Sequence, residues 1–109
     1  MIETYIVIRT QFEAIHQWPE CPFDDVAFLR VPHRHIFHIE VKFKTSSDRE
    51  IEFIRMKREV QAFLALNYIG KDLGKESCET IAEKILYSFH ADFVAVFEDR
   101  ENGAEVARK

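Results

Sequence analysis

From His33 to Thr45 the chain alternates without a break, a pattern that leaves room for little except a long strand. His33, His35, Phe37, Ile39, Val41 and Phe43 share one parity; Arg34, Ile36, His38, Glu40, Lys42 and Lys44 share the other. Successive side chains of a strand point to opposite faces, so one face is apolar and the other is half-solvated or lines an interface. The N-terminal segment TYIVIRTQFEAIHQW follows the same rule. Ile6, Ile8, Thr10 and Phe12 lie on one side, and Tyr5, Val7, Arg9 and Gln11 on the other. Alternation with β-branched residues predicts a second strand there.

Between these strands, PECPFDDVAF reads as a loop, with two prolines and two aspartates. Ser46, Ser47 and Asp48 mark a turn, and Ile51 to Phe53 is a candidate short return strand. Met56, Val60, Phe63 and Leu64 then recur at helical spacing, with Arg55, Lys57, Arg58 and Glu59 mostly outside. Gly70 and Gly74 bracket the break that follows. A second helix is predicted to start at Ser77, an N-cap residue with Glu79 in the first turn. Its buried stripe is Ile81, Ala82, Ile85, Leu86 and Phe89. ADFVAVFED reads as a strand, ENG as a tight turn and AEVARK as a last short strand. No internal repeat or linker interrupts residues 1–109, so a single domain is expected. Its order, strand-strand-helix-helix-strand-strand, predicts an α+β fold: an antiparallel four-stranded sheet with two helices on one face. The other face and the sheet edges stay open, and self-association covers such surfaces most simply.

A chain of 109 residues with 47% hydrophobic and 31% charged side chains has a globular balance. At this length folding buries roughly two-thirds of the unfolded surface. A net charge of -4 argues against a nucleic-acid backbone as the main partner. Two cysteines, Cys21 and Cys78, are too few for a disulfide framework and suit reduced thiols. MIETYIVIRT lacks the basic and apolar regions of a signal peptide, and no segment approaches the ~20 apolar residues that span a bilayer. A cytoplasmic protein with neither a nucleic-acid nor a membrane partner is expected.

The histidines carry the chemistry. His33 and His35 lie two apart on a strand, so both imidazoles point the same way, as two metal ligands can. On its own, His-x-His fits ordinary core or surface histidines as well as a ligand pair. His38 points to the opposite face, and His90 reads as a boundary residue between the second helix and the third strand. His16, at the end of the first strand and on the parity of Phe12, approaches the pair if the first two strands are neighbours. Three neutral imidazoles with an empty fourth position make a catalytic rather than a structural zinc site.

Five stretches in order resemble the 6-pyruvoyl- and 6-carboxytetrahydropterin synthases. FEAIH at 12–16 resembles their F-x-A-A-H, and HRH at 33–35 their H-G-H. IEFIRMK resembles the D-F-x-x-L-K that opens their first helix, with Glu52 for Asp. SCETIAEKI resembles P-T-x-E-x-L-A-x-x-I at the second helix, and VFED the V-x-E-T whose glutamate, here Glu98, anchors the pterin. The resemblance implies the tunnelling fold, with subunits joined into a β-barrel, typically a trimer that pairs into a hexamer. It implies Zn2+ at His16, His33 and His35, and 7,8-dihydroneopterin triphosphate or a related pterin as substrate. It implies a lyase of tetrahydropterin or queuosine biosynthesis, in which zinc acidifies the substrate's side-chain hydroxyls and a base moves a proton.

The chain departs from that pattern where protons move. The family's cysteine, four residues before H-G-H, is Leu29 here, and the Asp–His relay of an L-D-H segment falls at Leu66-Asn67-Tyr68. The middle glycine of H-G-H is Arg34. Cys21, in the same loop as Leu29, is the candidate substitute base, with an inert loop thiol as the other reading. Cys78, near the start of the second helix, is a weaker candidate, since a helix N-terminus lowers a thiol pKa. Tyr68, with an ordinary pKa near 10, makes a poor base. Lys71 and Lys75 are candidate triphosphate contacts or solvated lysines. If no base remains, the alternative is a catalytically silent tunnelling-fold protein that holds a pterin or purine-like ring.

Overall fold

The two alternating segments form the two longest strands, β1 (Thr4–His16) and β2 (His33–Thr45), paired antiparallel. Their register sets Phe12 opposite Phe37 and His16 opposite His33. A computed structural model describes residues 1–109. β3 (Phe93–Glu98) and β4 (Asn102–Ala107) continue the sheet in the order β1-β2-β3-β4, each neighbour antiparallel. With α1 (Phe53–Asn67), α2 (Cys78–Phe89) and a short 3₁₀ helix (Asp24–Arg30), the architecture is α+β with three helices. The 3₁₀ helix lies where a bare loop is expected. Arg30 holds it, with Nε donating to the Cys21 carbonyl and a second guanidinium nitrogen donating to Asp24.

Parity decides what the sheet buries. Ile8, Phe12, Phe37, Ile39, Val41, Phe43, Val94 and Val96 form one face of the core. Val60 and Leu64 of α1 and Ile81, Ala82, Ile85 and Leu86 of α2 complete it, so both α-helices cover one side. Phe12 stacks on Phe37 and on Tyr68, with centroids 5.1 and 5.3 Å away. Each such large side chain contributes about 1.5–3 kcal/mol by leaving water. The other face keeps Tyr5, Val7 and Ile15 exposed. There Arg34 pairs with Glu13, away from His33 and His35. No helix is long and apolar enough to cross a membrane.

Capping sets the helix starts. Glu52 accepts from the Ile54 N–H at the head of α1, so Ile51–Phe53 leads into a helix instead of a return strand. Ser77 and Thr80 form a reciprocal capping box at α2, and His90 ends that helix in the left-handed conformation. Residues 70–74 lie along the outer edge of β1, exchanging backbone bonds with Glu13, Ile15 and Gln17. That clamp fixes the end of β1 that carries His16.

The hairpin from β3 to β4 turns earlier than ENG suggests. Asp99 and Arg100 both take positive φ, 53° and 63°, and the Glu101 N–H closes the turn on the Glu98 carbonyl at 2.9 Å. Such turns favour Asn and Gly at the two central positions. Here the Asn-Gly pair, Asn102 and Gly103, lies in β4 because Gly103 meets a different demand. A Cβ at Gly103 would sit 2.0 Å from the Val96 carbonyl oxygen.

Candidate metal centre

The β1–β2 register brings the histidines together. His16 ends β1 opposite the first residue of β2, and His35 lies two residues further along the same face. Ring centroids are 4.6 Å apart for His16 and His33, 5.0 Å for His33 and His35, and 5.3 Å for His16 and His35. One ring nitrogen from each lies within 4.8 Å of the others, a group that can hold a metal ion. His16 is 8% exposed. Phe37 packs edge-on against His16 and His35 and floors the site.

Each imidazole spends its Nδ1 on an oxygen. His16 Nδ1 meets the Glu76 carbonyl at 2.8 Å, His33 Nδ1 the Val31 carbonyl at 2.8 Å, and His35 Nδ1 the Asp99 carboxylate at 2.6 Å. These acceptors make Nδ1 the protonated nitrogen of the neutral ring and leave the Nε2 lone pair free. Metal-ligating histidines are oriented by such outer partners. The Nε2 atoms of His16 and His35 are buried and have no aligned hydrogen-bond partner. A buried polar atom without a partner is costly. Two such atoms converging in one place fit a site built for a cation.

Glu98, the last residue of β3, completes the cluster. One carboxylate oxygen lies 3.0 Å from His16 Nε2 and the other 3.5 Å from His35 Nε2, close but out of line for a good hydrogen bond. Without a metal, the neighbouring Glu98 carboxylate holds the His16 pKa above its ordinary 6.5; burial opposes the shift and the Glu76 carbonyl supports it. His16 in turn holds Glu98 below 4.5, against the cost of burial. Asp99 is also held low, first by the Ile36 N–H and then by His35.

A cleft of about 400 Å³ opens over this cluster. His16, His33 and Glu98 line it, with Trp18 and Leu29 from the 17–32 loop, Lys75 to Glu79 from the segment that leads into α2 and its first turn, and Asn102 and Gly103 from β4. Leu29 therefore stands at the cleft. Cys21 does not line it: the thiol is buried and faces the Phe23 carbonyl at 3.9 Å. A backbone bond from the Trp18 N–H to the Leu29 carbonyl ties together the two loop residues that reach the cleft. Cys78 does line the cleft, but burial, then Glu98 and Glu79, push its thiol up to about 12, against the lowering expected of a helix N-terminus. Tyr68 is a core residue, also pushed up to about 12 by burial. Lys75 is at the cleft, paired with Glu20, whereas Lys71 donates to the Leu66 carbonyl and lies outside.

Sequence reasoning missed Asp99, the Glu76 carbonyl and Gly103. Asp99 adjoins Glu98, and a turn placed at 99–100 would have exposed its role. No local signal marks the Glu76 carbonyl, which reaches His16 across 60 positions of chain. No family model and no curated protein matches this chain.

Proposed function

We propose that this chain is a zinc-dependent, pterin synthase-like lyase of the 6-pyruvoyl- or 6-carboxytetrahydropterin type, acting on 7,8-dihydroneopterin triphosphate or a related pterin. The observation that carries the reading is the convergence of His16, His33 and His35 with each Nδ1 committed to an oxygen. The five-motif resemblance supplies the pterin. Bound zinc would act as a Lewis acid on a substrate oxygen. The chain's own residues do the rest. Trp18 and Leu29 give the cleft an apolar side, and the Glu98 carboxylate suits two adjacent N–H donors of a pterin ring. Of the remaining cleft carboxylates, Glu76 is paired with Lys84 at 2.8 Å, so proton transfer falls to Glu79 in place of Cys21. The reading also takes in the tunnelling fold. The open sheet face with Tyr5, Val7 and Ile15, the edge of β4 and the part of the β1 edge that residues 70–74 leave uncovered suit assembly into a trimeric or hexameric barrel.

The second reading, a catalytically silent pterin- or purine-binding protein, is favoured by one observation: neither thiol is available as a base at the cleft. Incubating the zinc-loaded protein with dihydroneopterin triphosphate separates the two. Triphosphate release that survives Cys21→Ala is the expected result. Tight pterin binding without turnover selects the silent binder, and neither binding nor turnover removes both.

The His16–Glu98 pair predicts an unusual pH response. The raised His16 pKa contributes stability to the metal-free protein that is full below 6.5 and lost as pH rises through the folded value. The depressed Glu98 pKa contributes stability present above 4.5 and lost as pH falls through its folded value. The pair thus helps the metal-free chain most between 4.5 and 6.5. Zinc needs a deprotonated His16, so its effect runs the other way. Thermal melts should show a zinc-induced gain that is small near 6.5 and grows as pH rises. A gain that shrinks over that range would contradict the assignment of His16 as a ligand.

A further inference from the structure

The place of Glu98 is not explained by ligand anchoring alone. Its carboxylate lies against the same two nitrogens, His16 Nε2 and His35 Nε2, whose lone pairs the Nδ1 contacts leave free. A tetrahedral cation with bonds of about 2.0–2.1 Å sets neighbouring ligand atoms roughly 3.3–3.4 Å apart. Glu98 Oε2 lies 3.0 Å from His16 Nε2 and Oε1 3.5 Å from His35 Nε2, so each oxygen stands near that edge length from one of the two nitrogens. An ordinary ion pair would point one oxygen straight along the ring N–H. Here neither nitrogen is lined up with an oxygen for a hydrogen bond, although both are buried. Such an arrangement suits a carboxylate and two imidazoles directed at a common centre better than at one another.

The backbone holds Glu98 in this position. It faces Phe37 in the β2–β3 register and Asn102 in the β3–β4 register, so its side chain shares the face of the histidines. The next residue, Asp99, is pinned by its own backbone bond to the Ile36 carbonyl at 2.8 Å and by the Ile36 N–H on its side chain at 2.9 Å. Asp99 also orients His35, so one hairpin end supplies both an outer partner of a ligand and a carboxylate beside the free nitrogens.

We propose that Glu98 is a fourth metal ligand, giving a His₃-carboxylate site that is closed at rest. The inference rests on the metal-centre reading and extends it. A site with three histidines alone keeps an open position at all times, whereas this one opens only when the carboxylate leaves. An incoming small molecule must then displace Glu98 before it reaches the metal. A ligand with adjacent N–H groups can draw the carboxylate off.

Cobalt(II) tests this without any substrate, because its visible absorption reports coordination number and ligand set. Glu98→Gln keeps the side-chain shape and removes the anionic ligand. Its cobalt affinity should fall by no less than the roughly 10–100-fold that loss of an outer-shell partner costs, with a changed visible band. Glu98→Asp keeps the charge on a shorter arm and should fall between the two, which covers the case of a poorly folded glutamine variant. His16→Ala serves as the reference for losing a histidine ligand. Unchanged affinity and an unchanged band in both Glu98 variants, with binding lost in His16→Ala, would overturn the proposal and leave the three-histidine centre standing. A wild-type protein that takes up no cobalt would overturn both.

Discussion

Exchanging Asp99 for asparagine is expected to weaken metal binding about 10–100-fold while the hairpin stays folded. Both carboxylate oxygens of Asp99 act as acceptors, one from the Ile36 N–H at 2.9 Å and the other toward His35 Nδ1 at 2.6 Å. Asparagine offers one acceptor and one donor. If its oxygen keeps the Ile36 bond, its amide group faces His35 Nδ1, which must then accept. The ring proton moves to Nε2, and the lone pair that would bind a cation is gone. If the amide turns the other way, its N–H₂ opposes the Ile36 N–H, and an unsatisfied donor costs about 1–3 kcal/mol. The turn itself tolerates the change, because asparagine takes the left-handed conformation of position 99, φ 53°, at least as readily as aspartate. Metal titration of the variant beside a melt of its metal-free form is the measurement. Undiminished affinity would show that His35 does not depend on Asp99 for its tautomer.

Gly103→Ala should be the most damaging small substitution in the sheet. The added Cβ would lie 2.0 Å from the Val96 carbonyl oxygen, 2.7 Å from the Phe97 Cα and 2.8 Å from the Phe97 ring. Two of these atoms belong to the backbone of β3 and cannot swing aside. Relief requires β4 to move away from β3, which breaks the pairing of Phe97 with Gly103 and disturbs Glu98 beside it. Overpacking a tight site costs typically about 1–3 kcal/mol, and a backbone clash lies at the upper end or beyond. In a domain of this size that lowers the melting temperature by more than about 10 °C. The effect should persist without metal, unlike that of Asp99→Asn. A melting temperature within a degree or two of wild type would mean that the hairpin is looser than its close approach implies.

Local periodicity made much of the architecture legible. Period-two alternation assigns β1 and β2 and places His16, His33 and His35 on the buried parity, away from His38 and Arg34. Helical spacing finds Val60 and Leu64 in α1 and Ile81, Ile85 and Leu86 in α2, and Ser77 marks the N-cap of α2. The errors fall where a residue type has two physical uses. Asn102 and Gly103 look like a turn, but the glycine is needed for close approach in β4, and Asp and Arg take the left-handed positions instead. Cys21 sits in the expected loop, yet Arg30 and the Trp18–Leu29 bond fold that loop so that Leu29 faces the cleft.

Residue order alone settles which faces the strands present, which residues the helices bury, and that three imidazoles can share one side of a sheet. Side-chain direction in a strand or helix depends only on position along the chain, so a local pattern carries it. It takes the folded chain to show which nitrogen of each ring is free, that Glu98 meets His16 and His35, and that Asp99 and the Glu76 carbonyl hold those rings in place. Those outcomes depend on strand register, on where the β3–β4 hairpin turns, and on how α2 docks against β3 and β4. Each is set by contacts between residues tens of positions apart, which no short stretch of sequence encodes.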